Sequence, residues 1–93
     1  MIMTSVEGAY MVKAVAKREK PFAQIDYSDK RKVFGVRVKT LRVSGGLSQE
    51  ELAYRSRLHR NYISDLERGK RNVSFEALHK LADGFGVHVR DLL

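Results

Sequence analysis

Polar side chains gather on one side of residues 59–68, where they could bind another molecule. At helical spacing this side carries Arg60, Asn61, Ser64, Asp65 and Arg68. An arginine can donate two hydrogen bonds to guanine O6 and N7, and an asparagine can pair with adenine N6 and N7. The opposite side, expected to face inward, carries Ile63, Leu66 and Glu67. An ordinary solvent-exposed helix has a similar polar face, so these residues alone leave both interpretations open.

Other reactive groups give no indication of a metal site or of catalysis. His59, His79 and His88 are not paired at helical spacing, and the chain contains no cysteine that could join them. No set of nucleophile, base and acid emerges, and so small a domain has no evident substrate cleft. We therefore expect a protein that is not an enzyme and that uses no metal or other cofactor.

The chain is basic, and its positive charge is unevenly distributed. The formal net charge is +7, while residues 1–29 sum to zero, so the whole excess lies in residues 30–93. A basic domain favours a polyanionic partner such as a nucleic acid. A well-solvated surface without such a partner would have the same composition, so basicity alone does not decide between them.

Length and composition predict one small soluble domain. The 93 residues allow a single domain with a tail, and 43% hydrophobic with 31% charged residues is compatible with folding. No apolar run approaches the roughly 18 residues of a membrane span, and the N-terminus lacks the pattern of a signal peptide. We therefore expect a cytoplasmic protein with no membrane partner.

Hydrophobic periodicity and capping residues predict five helices and no strand. The first begins at about Asp29 and ends before Gly45. The second begins after Ser48, which can form a capping box with Glu51, and ends near Ser56. The third covers about residues 59–68 and the fourth about residues 75–85. A short fifth helix is expected from the spacing of Val89, Leu92 and Leu93.

The second and third helices are each too short to be stable alone. We expect them to pack at a steep angle around Leu52, Ala53, Ile63 and Leu66, which leaves one side of the third helix free to enter a groove. Residues 29–93 would form this domain, and residues 1–28 would be an N-terminal extension. For the extension, a short helix over about residues 5–19 and an irregular arm are both open.

Four segments of the chain occur in an order and spacing that are typical of one family. They are Phe34-Gly35…Val38…Leu41-Arg42, Leu47-Ser-Gln-Glu-Glu-Leu-Ala53, Tyr62-Ile-Ser-Asp-Leu-Glu-Arg-Gly69 and Leu81-Ala82…Gly86-Val87. With them, residues 31–93 resemble the Cro/C1-type (XRE-type) helix-turn-helix family of bacterial and phage transcription regulators. The stretch His59-Arg-Asn-Tyr-Ile-Ser64 is similar to regulators that include restriction-modification controllers. The resemblance implies a compact five-helix DNA-binding domain.

The resemblance also implies a role for individual residues. The recognition helix would read bases in the major groove through His59, Arg60, Asn61, Ser64 and Asp65. The DNA backbone would be held by Gln49, Arg57, Tyr62, Arg68, Lys70, Arg71 and Asn72. A structural salt bridge between the first and third helices would join Arg42 and Glu67. Two roles stay open, because Tyr62 could pack at the rim and Asp65 could accept from cytosine N4 or hold Arg60 or Arg68.

Two residues depart from the family's pattern. The family usually has glycine in the turn between the second and third helices, where this chain has Arg57. A left-handed conformation costs a residue other than glycine about 1–2 kcal/mol, so either the turn has a different shape or Arg57 accepts the strain. His59 is also a weaker N-cap than Ser, Thr, Asp or Asn.

We therefore expect a sequence-specific transcriptional regulator of double-stranded DNA, encoded by a bacterium or a phage. It would bind a palindromic operator as a homodimer through the fifth helix and the end of the fourth. The reason is that apolar residues crowd a terminus that can bury few of them, namely Val87, Val89, Leu92 and Leu93. It would act as a repressor that occupies a promoter, or by contacting RNA polymerase. The alternative is an antitoxin-like protein-interaction module in which DNA binding is secondary.

Overall fold

The computed structural model describes residues 26–93, and the regular secondary structure in this range is all helical, with no strand. The elements are α1 (Ser28–Ser44), α2 (Gln49–Ser56), α3 (Arg60–Glu67), α4 (Phe75–Phe85) and a 3-10 turn (Val89–Asp91). The prediction of an all-α helix-turn-helix domain is confirmed, but the expected fifth α-helix is only this single 3-10 turn. The helix or arm considered for residues 5–19 lies outside the described residues.

Polar caps set the beginnings of α2 and α4. Ser48 Oγ accepts from the Glu51 N–H at 3.0 Å, and Glu51 Oε1 accepts from the Ser48 N–H at 2.8 Å, which forms the expected capping box. Ser74 Oγ accepts from the Ala77 N–H at 3.0 Å. At the start of α3, His59 makes no such side-chain hydrogen bond. The stability of α3 therefore depends more on packing than that of α2 or α4.

The turn between α2 and α3 is built on Arg57, whose backbone is left-handed with φ 58°. Within residues 26–93 it is the only residue besides glycine with a positive φ. The Arg57 N–H donates to the Tyr54 carbonyl at 3.4 Å, and the Leu58 N–H donates to the Ala53 carbonyl at 3.1 Å, a common helix ending. The turn thus keeps the shape that glycine favours, and Arg57 accepts a strain of about 1–2 kcal/mol.

The core lies where the helices meet around fully buried aliphatic side chains. They are Val38, Leu52, Ile63, Leu66, Leu81 and Leu92. The expectation that the C-terminal end can bury few apolar residues is wrong for Leu92, while Val87 and Val89 pack half-buried against the core. The reason is that the C-terminal turn packs on the domain so that Leu92 joins the apolar core, and beside it Arg37 Nη2 of α1 donates to the Asp91 carbonyl at 2.9 Å.

Two glycines allow the helices to approach closely. A Cβ atom on Gly35 of α1 would lie 2.4 Å from the Leu66 carbonyl oxygen and 2.6 Å from that of Glu67. A Cβ atom on Gly84 of α4 would lie 3.1 Å from Cβ of Ser56 in α2. Gly35 therefore sets how near α1 can come to the end of α3.

A bidentate ion pair joins α1 to α3. Arg42 Nε lies 2.6 Å from Glu67 Oε2, and Arg42 Nη2 lies 3.0 Å from Glu67 Oε1. Arg42 Nη1 donates to the Leu47 carbonyl at 2.9 Å, and Gln49 Nε2 donates to Glu67 Oε1 at 3.0 Å. The two charged side chains are only 11% and 3% exposed, and hydrogen bonding to Glu67 raises the pKa of Arg42. We refer to Arg42, Leu47, Gln49 and Glu67 as the Glu67 node.

We expect Glu67→Ala to destabilise the fold by about 3–5 kcal/mol, because Arg42 is left as a buried charge without its partner. Glu76→Ala is the control, since Glu76 pairs with Lys80 on the surface at 3.1 Å and such a pair contributes about 0–1 kcal/mol. Urea unfolding at neutral pH measures both variants. A Glu67→Ala midpoint equal to that of the parent would show that the Glu67 node does not stabilise the fold.

We expect Gly35→Ala to destabilise the fold by about 1–3 kcal/mol, although alanine favours helices, because the new methyl group would overlap two carbonyl oxygens of α3. Gly45→Ala is the matched control. Its Cβ would have the Leu41 carbonyl oxygen as nearest neighbour at 3.4 Å, and its φ is −84°. Thermal unfolding compares the two. If Gly35→Ala has the same Tm as the parent, close contact between α1 and α3 is not required.

Candidate DNA interface

The exposed side of α3 begins with three polar residues that could reach base edges. His59, Arg60 and Asn61 are exposed, and Ser64, one turn later, is half-buried. The opposite side of the helix is buried in the core, so a rotation of α3 about its axis would bring apolar residues into water. The hydrogen-bonding groups therefore project from a helix whose orientation is fixed.

Asp65 differs from its neighbours on this face because it is already paired. Its carboxylate lies 2.7 Å from Arg68 Nη2 and 3.5 Å from Arg71 Nη2. The hydrogen bond from Arg68 lowers the pKa of Asp65, so the carboxylate is charged at neutral pH. Of the roles left open from the sequence, this geometry favours the one in which Asp65 orients arginine side chains, with Arg71 as an additional partner.

Tyr62 fastens the loop between α3 and α4. Its hydroxyl donates to the Asn72 carbonyl at 3.3 Å and accepts from the Ser74 N–H at 3.4 Å, while its ring packs against the core. The Arg71 guanidinium lies over that ring, 4.9 Å from the centroid. Lys70, in the same loop, is exposed. Tyr62 thus fixes the loop that carries several of the residues expected to contact phosphate.

Gln49 occupies the first position of α2, and the Glu67 node orients its side chain. One amide hydrogen is donated to Glu67 Oε1 at 3.0 Å, and the side chain is half-buried. A side-chain amide has two N–H donors, so a second donor remains for another acceptor. The backbone N–H groups and the dipole at a helix N-terminus favour an anion at the same place. Gln49 can therefore belong to the node and bind a phosphate at once.

Arg57 lies in a different cationic group from the loop after α3. The hollow beside it is lined by Arg55 and Ser56 of α2 and by Lys80 and Asp83 of α4. No residue of 68–72 lines this hollow. The structure therefore brings together Tyr62, Asp65, Arg68, Arg71 and Asn72, but it does not bring Arg57 into their group.

A basic edge of α1 adjoins the same loop and was not found from the sequence. Arg31 Nη1 donates to Asn72 Oδ1 at 3.3 Å. Lys32 packs against Gly69, where a Cβ atom would lie 2.7 Å from Lys32 Cγ. The run Lys30-Arg31-Lys32 is the signal that could have indicated this edge. Nothing in the run indicates which distant loop it contacts.

The described residues also bear on metal binding and membrane insertion. Between residues 26 and 93, no three side chains of His, Cys, Asp or Glu are grouped so that they could hold a metal ion. None of the helices in this range is long and apolar enough to cross a membrane. Every buried side-chain nitrogen or oxygen found there has a hydrogen-bond partner.

Several known control proteins are similar in sequence to this domain. A helix-turn-helix family model matches residues 38–92, more than half of the chain. The control protein C.BamHI of Bacillus amyloliquefaciens is 48% identical over 64 residues, which are 68% of this chain and 79% of that protein. The control protein C.SmaI of Serratia marcescens is 40% identical over 73 residues, which are 78% of this chain and 87% of that protein.

A solved structure extends the similarity to three dimensions. The restriction-modification controller protein C.AhdI from Aeromonas hydrophila matches with a TM-score of 0.69 at 43% identity, over 70% of this chain and 98% of that one. The resemblance inferred from the sequence is confirmed. The chain belongs to the Cro/C1-type helix-turn-helix family of DNA-binding transcriptional regulators, and its relatives include restriction-modification controller proteins.

Proposed function

We propose that this regulator reads DNA with the N-terminal half of α3 in the major groove. The observation that supports the proposal best is the exposed row of His59, Arg60 and Asn61 on a helix whose other side is buried. Arg60 would donate two hydrogen bonds to a guanine, and Asn61 would pair with an adenine. His59 and Ser64 would add single contacts to bases, directly or through water.

Contacts to phosphate would hold α3 in register on the duplex. Gln49 would donate its second amide hydrogen to one phosphate, beside the N-terminus of α2. Lys70 and Arg71 would bind further phosphates from the loop after α3. Arg31 and Lys32, which contact this loop, would extend the basic edge. Arg57 would contribute charge from the other end of α3, at the turn.

Two residues would act by positioning these contacts. Asp65 keeps the guanidinium groups of Arg68 and Arg71 near the end of α3, and these cations offset the repulsion between Asp65 and phosphate. Tyr62 supports Arg71 on its ring and holds the backbone of Asn72 with its hydroxyl. We therefore assign Tyr62 to the support of the interface and Asp65 to its arrangement of charge.

The regulator would bind its operator as a homodimer. At the end of α4 and in the C-terminal turn, Phe85, Val87 and Val89 remain only half-buried. Leu92 belongs to the core, and Leu93 lines a groove against α1, so the dimer surface is narrower than expected from the sequence. Two-fold symmetry would present two copies of α3 to half-sites about 34–36 Å apart on a palindromic operator.

The relatives indicate the process that this regulator would control. C.BamHI and C.SmaI are named control proteins, and C.AhdI is a restriction-modification controller. We propose the same role for this chain, in the cytoplasm of a bacterium and without a cofactor. It would act as a repressor by occupying a promoter, or as an activator by contacting RNA polymerase there.

Substitutions of the base-reading residues and of the residues that bind the DNA backbone should affect DNA binding differently. Arg60→Ala or Asn61→Ala should weaken binding to the selected duplex by about 1–3 kcal/mol and relax the preference at one position of each half-site. Lys70→Ala should weaken binding to every duplex alike and reduce the salt slope by about one. Gln49→Ala should weaken binding to all DNA sequences without changing the salt slope, because the glutamine amide is neutral. Affinities for a selected operator and its single-base variants, at several salt concentrations, separate these outcomes.

The control for charge is Lys39→Ala, which removes a lysine at an exposed position of α1 and should leave the preference profile unchanged. Each variant is first compared with the parent in urea unfolding, because Gln49 also belongs to the Glu67 node. If Arg60→Ala and Asn61→Ala both keep the parent's preference profile, α3 is not the reader. An antitoxin-like protein-interaction module would then explain the chain better.

We expect the parent to sediment as a dimer at micromolar concentration and Val89→Lys to sediment as a monomer, because a charge would have to be buried in the apolar contact. Tyr54→Lys is the control, since Tyr54 is exposed on α2, away from the proposed contact. Circular dichroism checks that each variant is folded. A parent that stays monomeric at high micromolar concentration, both free and on DNA, would contradict the proposed dimer.

A further inference from the structure

An apolar groove runs along the outer side of α1 and reaches the C-terminal residue. Three adjoining hollows form it, and their apolar lining includes Tyr27, Val33, Phe34, Val36, Leu41 and Leu93. Val33 and Leu93 line the same hollow, and they are 70% and 75% exposed. We refer to this surface as the α1 groove. Apolar side chains grouped in this way on a surface mark a binding site for another segment or molecule.

The α1 groove is not used by the activities described above. Phe85, Val87 and Val89 of the proposed dimer surface do not line it, and neither do Arg60 and Asn61 of α3. At the Tyr27 end it adjoins the loop after α3, and the charged residues that line it there and farther along are basic except for Asp29. An occupant should therefore be apolar, with little positive charge of its own.

The N-terminal part of this chain has that composition. Residues 1–12 (MIMTSVEGAYMV) contain eight apolar residues and a single charged side chain, Glu7. The acidic Glu7 complements a rim that carries Lys30 and Arg37. The lysines and arginines of the N-terminal region all fall later, within residues 13–20. The apolar and the basic parts of this region are thus separate along the chain.

The chain enters the described domain at one end of the α1 groove. Asp26 Oδ1 accepts from the Ser28 N–H at 2.9 Å, and Tyr27 between them lines the groove. Residues 13–25 could span up to about 45 Å when extended. This exceeds the length of α1, about 25 Å for its 17 residues. A segment tethered in this way is present at an effective concentration near the millimolar range, above that of a free partner at micromolar concentration.

We propose that residues 1–12 of the same chain bind in the α1 groove and cover it. The apolar side chains of this segment would pack on Val33, Phe34 and Leu93, and Glu7 would face the basic rim at Arg37. Residues 1–12 would then keep a second copy or another apolar partner out of the α1 groove.

The absence of cysteine from the chain allows a direct test on the full-length protein. Ala9→Cys is combined with Val33→Cys in the groove, and in a control with Tyr54→Cys, which is 86% exposed on α2. Oxidation by glutathione disulfide is followed by mass spectrometry and non-reducing electrophoresis. We expect the groove pair to form an intramolecular disulfide at least about tenfold faster than the control pair, at a rate independent of protein concentration.

Two results would overturn the proposal. Equal rates for the groove and control pairs would show that residues 1–12 do not bind there. Covalent dimers of the groove variant, with a yield that rises with concentration, would show that a second copy occupies the groove. Operator binding of each variant is measured alongside, because the substitutions lie outside the proposed base-reading face, so a negative result is distinguishable from a failure of DNA recognition.

A second measurement does not depend on introduced cysteines. Val6→Asp places a charge in the apolar segment and should shift the amide resonances of Val33 and Val36 while leaving that of Tyr54 in place. Thr4→Ser is the conservative control and should shift none of them. If Val6→Asp leaves the resonances of Val33 and Val36 unchanged, residues 1–12 are not in the groove.

Discussion

The position of α3 in the fold depends on one buried carboxylate. Glu67, the last residue of α3, accepts hydrogen bonds from Arg42 of α1 and from Gln49 of α2. Arg42 reaches onward to the Leu47 carbonyl, so two neighbouring helices and the connection between them meet at a single group. Burial of the apolar side of α3 sets which face points outward, whereas hydrogen bonds also fix distances and directions. The Glu67 node therefore fixes the end of α3 relative to α1 and α2.

The other features of α3 show why it needs support from neighbouring helices. The helix has eight residues, its N-cap His59 makes no side-chain hydrogen bond, and it follows a turn in which Arg57 is strained. A helix this short is marginal alone, so its stability must come from its neighbours. Gly35 lets α1 approach the last carbonyls of α3, and Ile63 is fully buried on the inner side. The start of the outer side, with His59, Arg60 and Asn61, is exposed, which leaves these polar residues free for the proposed recognition.

The elements that local rules control were predictable from the sequence, and those that depend on distant loops were not. The capping box joins Ser48 and Glu51, which are only three positions apart, through backbone hydrogen bonds. The local sequence was therefore sufficient to predict it. The partners of Tyr62, and Arg71 as a second partner of Asp65, lie in a loop without periodicity, so no pattern could indicate them. The burial of Leu92 depends on packing between the C-terminal turn and helices distant in the sequence, where Arg37 of α1 donates to the Asp91 carbonyl 54 residues away. The exposed face of α3 and its ion pair with Arg42 were expected from the sequence, but the contacts of the loop after α3 were visible only in three dimensions.

A crystal structure of the protein bound to a selected operator tests most directly whether α3 reads base edges while the Glu67 node holds it in place. We predict that α3 lies in the major groove, with Arg60 and Asn61 within hydrogen-bond distance of base edges. Glu67 should still bind Arg42 and Gln49, with the second amide hydrogen of Gln49 directed at a phosphate. A complex in which α3 faces solvent while the duplex lies against another surface of the domain would contradict this mechanism.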